Sequence, residues 1–303
     1  MEAKKIMIQA TGFGTGAGKS LMVALLSRLF TEDGYRVAPY KTVNMTPETF
    51  IIQGREFGYS QALQALAANQ EPDYRMNPCT LKPQGNGKFD IILEGQCIRK
   101  DYKLEKELLK GALMQMFGLK HEFREIKEAA KRALQSLSNE YDIICIEGSG
   151  PAKLFGFGIF SEIHEVGNIW TARIADAPIL LVTDNLDSVV GTLSYMGEES
   201  WRVKGVLLNK FISDKFIDMG IKEKYIKLGI TRIKSIYQRK IGRDIIGVIP
   251  YLEELNKLPD LDPVSPDSKI GLQVFKDVIV QIAKTARECI DISSVYKIMN
   301  IKP

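Results

Sequence analysis

The segment IQATGFGTGAGKS, residues 8–20, constrains the fold of this chain more than any other. It overlaps an apolar run, KIMIQAT, that is typical of a buried strand, and Lys19-Ser20 opens a stretch with apolar residues at helical spacing. A glycine-rich turn between a strand and a helix surrounds an anion with backbone N–H groups and the positive end of the helix. The alternative is a glycine-rich turn that only packs, but the context favours a phosphate-binding loop.

The spacing of the glycines assigns the loop to a less common class. The usual pattern has a glycine five positions before Gly18, where this chain has Phe13. A variant class of phosphate-binding loop spaces its two glycines six positions apart, and Gly12 meets that spacing. Lys19 would then reach the β- and γ-phosphates of ATP, and Ser20 would bind Mg²⁺. The residues expected to contact the nucleotide are Gly12, Gly14, Thr15, Gly16, Ala17, Gly18, Lys19, Ser20 and Leu21.

Short apolar runs alternate with longer amphipathic stretches along the chain. The runs expected to form strands are KIMIQAT, RVAPYKT, DIICIEGSG, PILLVTD, VKGVLLNKF and DIIGVIPY. The segments KSLMVALLSRLFTEDG and EFREIKEAAKRALQSLSNEY have helical spacing, and the first ends at Gly34 as a helix does. This alternation predicts an α/β fold with a mostly parallel sheet and helices on both faces.

The segment KLPDLDPVSPDSK, residues 257–269, concentrates proline, aspartate and serine and is expected at the edge of the compact domain. We therefore expect a P-loop domain over residues 1–265. Residues 266–303 have helical spacing and are too few for a second domain, so they are expected to form a helical extension packed on the first.

Charge and cysteine content exclude several classes of protein. The net charge of +4 comes from 41 basic and 37 acidic residues spread along the chain, which indicates neither nucleic acid nor membrane as a partner. The four cysteines form no CxxC pair and the chain has two histidines, so a thiolate metal cluster is not expected. No apolar run reaches the length of a membrane span and no hydrophobic leader follows MEAKK, so we expect a cytoplasmic protein.

Beyond the loop, several blocks resemble the synthetase domain of the cobyric acid synthase family, in the dethiobiotin-synthetase-like branch of P-loop proteins. The matching blocks, in order, are RVAPYKTVNMT, REFGYSQALQALAANQEPDYRMNPCTLKP, EYDIICIEGSG, VKGVLLNKF, IIGVIPYLEEL and LPD. In that family the corresponding segments look like APFKPQNM, EIGRAQALQA followed by MNPVLLKP, and EYDVVVVEGAG. The resemblance covers roughly residues 4–263.

The resemblance implies roles for polar residues at strand ends. Lys41 and Asn44 match a lysine and an asparagine near the reacting carboxyl or acyl phosphate, where a lysine neutralises developing phosphate charge. Glu147 matches a carboxylate linked to Mg²⁺, and Asn209 matches the residue that reads the edge of the adenine. From the residues alone, the alternatives are a solvated lysine, a capping or ion-paired glutamate and a turn asparagine.

A second group of residues is assigned by the same resemblance. Glu56 and Gln61 match the helix that bears EIGRAQ and would hold Mg²⁺ directly or through water, Lys82 matches a basic residue facing the acidic substrate, and Asp184 is expected to shape the nucleotide side. The alternative for these four is an ordinary surface charge or polar group. The expected contacts are, for substrate, Asn44, Gln61, Lys82 and Gly148; for Mg²⁺, Ser20, Glu56 and Glu147; and for the nucleotide, Asn209 and Pro250 in addition to the loop.

The chain departs from that family in three places. The family has an aspartate where this loop has Gly16, and it has a SPAEINL-like substrate loop followed by an aspartate and an asparagine where this chain reads PAKLFGFGIFSEIHEVGN. Glu165 and Asn168 are expected to replace those features. A complete member also carries a glutaminase domain, whereas Cys289 has no glycine-rich nucleophile turn around it.

The resemblance implies an ATP- and Mg²⁺-dependent amide ligase that activates carboxylates of a corrinoid or related tetrapyrrole as acyl phosphates. Ammonia would come from solution or from a separate glutaminase subunit, and we expect a homodimer with no nucleic-acid or membrane partner. Two alternatives stay open: a ligase or carboxylase acting on another acid, as in dethiobiotin ring closure, and a nucleotide-dependent regulatory ATPase.

Overall fold

The apolar run before the glycine-rich loop forms strand β1, Lys4–Ala10, in the middle of a six-stranded parallel sheet. The computed structural model describes residues 2–11, 16–103, 123–152, 163–211, 213–257 and 269–301. The other five strands of this central sheet are β2 Val37–Tyr40, β9 Ile143–Pro151, β10 Ile179–Thr183, β11 Val203–Phe211 and β12 Asp244–Pro250. Each of them overlaps a predicted strand, and the order across the sheet is β12-β11-β10-β1-β9-β2, so the parallel α/β class is confirmed.

Helices cover both faces of the central sheet because successive strand residues alternate between two hydrophobic cores. Ile6 and Ile8 of β1 pack on one side, and Met7 packs on the other. The first face carries helices α1 Lys19–Glu32, α2 Tyr59–Ala67, α8 Lys269–Cys289 and α9 Ile292–Ile298. The second carries α3 Arg124–Glu140, α4 Thr171–Ala175, α5 Asp187–Met196 and α7 Glu223–Ile241.

Shorter helical pieces lie between these elements. They are the helix α6 Ser213–Asp218, the 3₁₀ turns Tyr74–Met76, Gly197–Arg202 and Glu253–Lys257, and a π turn at Val166–Trp170 that runs into α4. Within the described ranges, no helix combines the length and the apolar character needed to cross a bilayer.

A smaller second sheet was not predicted. Its order is β3-β6-β7-β8, built from β3 Val43–Met45, β6 Cys79–Gly85, β7 Lys88–Leu93 and β8 Gln96–Lys103. A separate hairpin pairs β4 Thr49–Ile52 with β5 Arg55–Gly58. Because β8 is exposed along most of its length, its sequence lacks the alternation that marks a half-buried strand.

The hairpin corrects one expectation. Glu56 was expected on the same helix as Gln61, but it lies in β5, and α2 begins at Tyr59. The chain stays extended at Gly58, with φ −60° and ψ 129°, and the Gly58 N–H donates to Asn77 Oδ1 at 3.0 Å. That side-chain contact replaces a helical hydrogen bond, so the helix starts after it.

The C-terminal helices share the core of the first face. Phe275, Ile279 and Ile282 of α8 and Val295 of α9 are buried together with α1. The Tyr296 hydroxyl donates to Asp33 Oδ2, just after α1, at 2.6 Å. The domain edge was expected at residues 257–269, of which 258–268 lie outside the described ranges, so the boundary at residue 265 stays a prediction.

Candidate nucleotide and metal site

Four parallel strands of the central sheet bring the polar residues of the site to one edge. The carboxyl ends of β1, β2, β9 and β11 face the same way because these strands are parallel. Ligands in open α/β sheets bind outside that edge. Lys41 follows β2, Glu147 lies in β9, and Ser20 lies in the first turn of α1, which follows the glycine-rich loop.

The Glu147 carboxylate is the centre of the site. Its side chain is 1% exposed and accepts hydrogen bonds from four side chains. Ser20 Oγ and Lys41 Nζ both donate to Oε1, at 2.9 and 2.8 Å. The side-chain amides of Gln64 and Gln61 donate to Oε2, at 2.6 and 3.3 Å. Each oxygen therefore has two donors, and the carboxylate is fixed in orientation.

Two lysines set the charge of this site. Burial by itself raises the pKa of Glu147, but the Lys41 charge and the hydrogen bonds from Lys41 and Gln64 outweigh it, so the pKa is lowered and the group stays ionised. Burial lowers the pKa of Lys19 to about 8, with Glu147 opposing that change and Lys41 adding to it. Two cationic side chains face one carboxylate, which suits the binding of an anion such as a polyphosphate.

A layer of side-chain amides surrounds the carboxylate. Asn44 Nδ2 donates to Gln61 Oε1 at 3.0 Å, and Asn77 Nδ2 donates to the Lys41 carbonyl at 2.9 Å. A Cβ atom on Gly58 would lie 2.4 Å from Asn44 Nδ2 and 2.9 Å from Asn77 Oδ1, so the layer leaves room only for glycine there. The layer connects β2, β3 and α2 and holds the lysine and the carboxylate in register.

The last residues of the glycine-rich loop are held by the end of β11. Asn209 Nδ2 donates to the Ala17 carbonyl at 3.0 Å, and Lys210 Nζ donates to the Gly16 carbonyl at 2.7 Å. Gly18 has φ +98°, and a Cβ atom there would lie 2.3 Å from Asn209 Nδ2. Whether Asn209 also reads adenine stays a prediction. The other residues expected in the loop, Gly12, Gly14 and Thr15, lie outside the described residues.

Asn168 holds the segment that follows Glu147. Its Oδ1 accepts from the Ser149 N–H at 2.9 Å, and its Nδ2 donates to the carbonyls of Ser149 and Pro151 at 2.7 and 2.9 Å. A Cβ atom on Gly148 would lie 2.6 Å from Asn168 Oδ1. Of the two residues expected to replace the substrate loop, Asn168 is buried at the site and Glu165 is exposed.

His164 also reaches this segment and was not predicted. Both of its ring nitrogens lie 3.1 Å from Asn168 Nδ2, and a Cβ atom on Gly150 would lie 2.9 Å from Nε2. Burial lowers the pKa of His164 to about 4, and the charge of Lys19 contributes in the same direction. The imidazole is therefore neutral at pH 7.

Two predicted residues pair with each other instead of with the carboxylate. Lys82 Nζ lies 2.7 Å from Glu56 Oε1, which also accepts from the Thr49 hydroxyl at 2.7 Å. This pair joins the hairpin to β6 and is partly exposed. Among the described residues, the hydrogen bonds of Glu56 go to the hairpin side, while those of Glu147 go to Ser20, Lys41 and α2. A metal role for Glu56 stays a prediction.

Three further predicted residues lie at the ends of elements. Asp184 follows β10 and is exposed, Pro250 ends β12 and pairs in register with Phe211, and Leu21 is partly buried in α1. In the part of the chain that the structure describes, none of their side chains hydrogen-bonds to the Glu147 carboxylate or its donors. Their expected roles stay predictions.

Gln64 and Asn77 were missed by sequence reasoning. Gln64 follows Gln61 by three residues in QALQ, and residues three apart lie on the same face of a helix, so that spacing was the available signal. Asn77 belongs to MNPCTLKP, which the resemblance contained, but its contacts with Gly58 and Lys41 depend on tertiary structure.

The donor set fits magnesium. No cluster of three or more histidine, cysteine, aspartate or glutamate residues occurs in the described ranges. Magnesium prefers oxygen ligands and commonly takes one or two carboxylates, several waters and phosphate oxygens. The adjacent Ser20 Oγ and Glu147 Oε1 supply such oxygens beside the loop, and Ser20 is exposed.

Comparison with known proteins adds a family and several relatives. A family described as the CobQ/CobB/MinD/ParA nucleotide binding domain matches residues 8–262. Cobyric acid synthase from Pelotomaculum thermopropionicum is 35% identical over 274 residues, which cover 86% of this chain and 45% of that protein. Probable cobyric acid synthase from Methanothermobacter thermautotrophicus is 37% identical over 275 residues, covering 88% of this chain and 48% of that protein.

The chain thus spans about half the length of the curated relatives it matches. Among solved structures, the Cyanothece McdA(D38A)–ATP complex aligns with 100% of this chain and 98% of its own, at 13% identity and a TM-score of 0.46. MinD from Aquifex aeolicus aligns with 93% of this chain and 97% of its own, at 14% identity and a TM-score of 0.39.

Proposed function

Because this chain belongs to the CobQ/CobB/MinD/ParA nucleotide-binding domain family, we propose that it is an ATP-dependent amide ligase. It would bind ATP with Mg²⁺, activate a carboxylate as an acyl phosphate and release an amide after capture by ammonia. The observation that carries this proposal is the meeting of Ser20 and Lys41 on one oxygen of Glu147, beside the described end of the phosphate-binding loop.

The proposed substrate is a corrinoid or related tetrapyrrole that carries acetate and propionate side chains. Two relatives that match most of this chain are named cobyric acid synthases, which supports that class. Asn44, Gln61, Gly148 and Lys82 would face the substrate. Lys82 is partly exposed, but its ammonium group is paired with Glu56 at 2.7 Å, so a substrate carboxylate would have to share or displace that pair.

Ammonia would come from solution or from a separate glutaminase subunit. A glutaminase nucleophile needs an accessible thiol with a lowered pKa. Burial instead raises the pKa of the Cys79 and Cys145 thiols to about 12 and also raises that of Cys289, so these three do not meet that need, whereas Cys97 is exposed in β8. The subunit arrangement that we propose is a homodimer.

The residues at the edge of the sheet would have the following roles in the reaction. Lys19 and the backbone amides of the loop bind the phosphates, and Asn44 orients the substrate carboxylate for attack of its oxygen on the γ-phosphorus, with ADP leaving. Lys41 neutralises charge on the transferred phosphoryl group, which then leaves as phosphate when ammonia attacks the acyl carbon and loses a proton. Ser20 and Glu147 would hold Mg²⁺, whose chemistry is to neutralise charge on the phosphate oxygens.

The test is ADP release by the purified chain with a panel of carboxylic acids, with and without ammonium. The proposal expects turnover that needs both a corrinoid bearing free carboxylates and ammonium, with conversion of carboxyl to amide seen by mass spectrometry. Lys19→Ala should abolish it, whereas Lys284→Ala, at an exposed lysine of α8, should not.

Two other outcomes would replace the proposal. Turnover that needs bicarbonate and a diamino acid would indicate a carboxylase of the dethiobiotin type. ATP hydrolysis stimulated only by a protein partner would indicate a regulatory ATPase.

A further inference from the structure

Oε1 of Glu147 accepts hydrogen bonds from two donors of different kinds. Ser20 Oγ, at 2.9 Å, is a neutral hydroxyl, and Lys41 Nζ, at 2.8 Å, is a cation. In the proposed function, Ser20 Oγ and this carboxylate are the protein ligands of Mg²⁺. The ammonium group of Lys41 therefore lies on the oxygen that the metal needs.

The other oxygen of Glu147 is held by groups that carry no net charge. Gln64 and Gln61 donate to Oε2 from buried positions on α2, and they are 1% and 0% exposed. Gln64 Nε2 also donates to the Ser20 carbonyl at 3.2 Å, which ties the amide to the first turn of α1. A change of partner at Oε1 would leave these bonds in place.

The backbone on either side of the Lys41 side chain is also fixed. The Lys41 N–H donates to the Met76 carbonyl at 2.8 Å, and the Lys41 carbonyl accepts from Asn77 Nδ2 at 2.9 Å. Four methylene groups separate that fixed backbone from Nζ. The ammonium group is the part of Lys41 that is able to move without unfolding the end of β2.

We propose that Lys41 is the resident counterion of Glu147 in the metal-free site and that Mg²⁺ displaces it from Oε1. Gln61 and Gln64 are the positioning residues that keep the carboxylate oriented during the exchange. Two cations at one oxygen repel each other, and Mg²⁺ carries twice the charge of the Lys41 ammonium group, so the metal is the stronger competitor for Oε1. With Oε1 bound to the metal, the Lys41 ammonium group would be available to neutralise charge on a phosphoryl group.

This exchange rests on the proposed function only for the Mg²⁺ site. It does not depend on which carboxylic acid is activated or on which amine attacks the acyl phosphate. In this exchange Lys41 has one role without the metal and another with it. Without metal, Lys41 neutralises a buried carboxylate that would otherwise be costly to ionise. With metal, the carboxylate is neutralised by Mg²⁺, and Lys41 is free to meet new negative charge.

The test uses Mn²⁺ as the probe and the full chain without nucleotide, with free Mn²⁺ measured by electron paramagnetic resonance. Lys41→Met should bind Mn²⁺ about tenfold or more tightly than the unmodified chain, because the competing cation is gone. Adding Gln64→Leu to Lys41→Met should reverse about tenfold of that gain, because Oε2 loses its closest donor. Lys284→Met and Gln281→Leu, at exposed positions of α8, are the matched controls and should change nothing.

Thermal unfolding without metal checks that each variant is folded, and Lys41→Gln replaces Lys41→Met if the latter is not. Unchanged, weaker or undetectable Mn²⁺ binding by the Lys41 variant overturns the exchange. Equal Mn²⁺ binding with and without Gln64→Leu overturns the positioning role. A Lys41 variant that gains Mn²⁺ affinity in a chain that makes no amide refutes only the proposed reaction, so the two failures are distinguishable.

Discussion

Replacing Gly18 by alanine tests the contact between the glycine-rich loop and β11. The backbone at Gly18 has φ +98°, where an L-residue costs about 1–2 kcal/mol. The new Cβ atom would also lie 2.3 Å from Asn209 Nδ2, so Asn209 must move and lose its 3.0 Å bond to Ala17. That loss costs about 1 kcal/mol, and more if the buried amide finds no other partner. We expect Gly18→Ala to lower the free energy of unfolding by about 2–4 kcal/mol.

Asn209→Ala distinguishes the two contributions. Alone it should cost about 1 kcal/mol, the value of one hydrogen bond. In the Gly18→Ala background it should cost nothing further, because that bond is already lost and the obstacle to the Cβ atom is removed. The two substitutions should therefore be less than additive by about 1–2 kcal/mol.

Urea unfolding without nucleotide, followed by tryptophan fluorescence, measures these free energies. Gly16→Ala is the matched control, because Gly16 has φ +76° but nothing within 4 Å of a Cβ atom. It should cost about 1–2 kcal/mol and be additive with Asn209→Ala. Additivity of Gly18→Ala with Asn209→Ala would refute the steric reasoning.

Three further substitutions test the carboxylate and the segment after it. Asn168→Ala removes three hydrogen bonds to Ser149 and Pro151 and should lower the free energy of unfolding by about 2–4 kcal/mol in urea; a loss below 1 kcal/mol would contradict this. Because the pKa of His164 is lowered to about 4, its contribution to the free energy of unfolding is present above pH 6.5 and is lost as the pH falls from 6.5 to 4, by at most about 3 kcal/mol. His164→Gln should therefore flatten the dependence of the free energy of unfolding on pH between 6.5 and 4. An unchanged dependence would contradict a buried neutral His164. Glu147→Gln should make the calorimetric affinity for ADP independent of Mg²⁺, whereas removal of Mg²⁺ by EDTA should weaken ADP binding by the unmodified chain; a Mg²⁺ effect that persists in the variant would contradict metal binding by Glu147.

The central sheet was predictable because its strands are short apolar runs separated by amphipathic helices. Lys41 and Glu147 were assigned to one site by the family resemblance rather than by their strands alone, and the structure places Lys41 Nζ 2.8 Å from Glu147 Oε1. The second sheet was not predictable in the same way, because β8 is exposed and shows no period. Glu56 illustrates the limit, since the family pattern placed it on the helix that carries Gln61, whereas the structure places it in strand β5.

Contacts that depend on tertiary structure could not be predicted from the sequence either. The spacing of QALQ places Gln61 and Gln64 on one face of α2, but nothing in it says that both amides turn toward Glu147. The role of Asn168 depends on three backbone groups, which carry no residue identity. Such side-chain to backbone bonds leave no pattern in a single sequence.

The amides between the two sheets have an electrical consequence. Asn44 of β3 donates to Gln61, and Gln61 donates to Glu147, so both dipoles point the same way. Hydrogen bonds aligned in a chain polarise one another, and the negative charge of the carboxylate is drawn outward along them. The second sheet, although separately hydrogen-bonded, therefore senses the charge state of the nucleotide site through Asn44. A change of charge at Glu147 is therefore expected to change the strength of the hydrogen bond between Asn44 and Gln61.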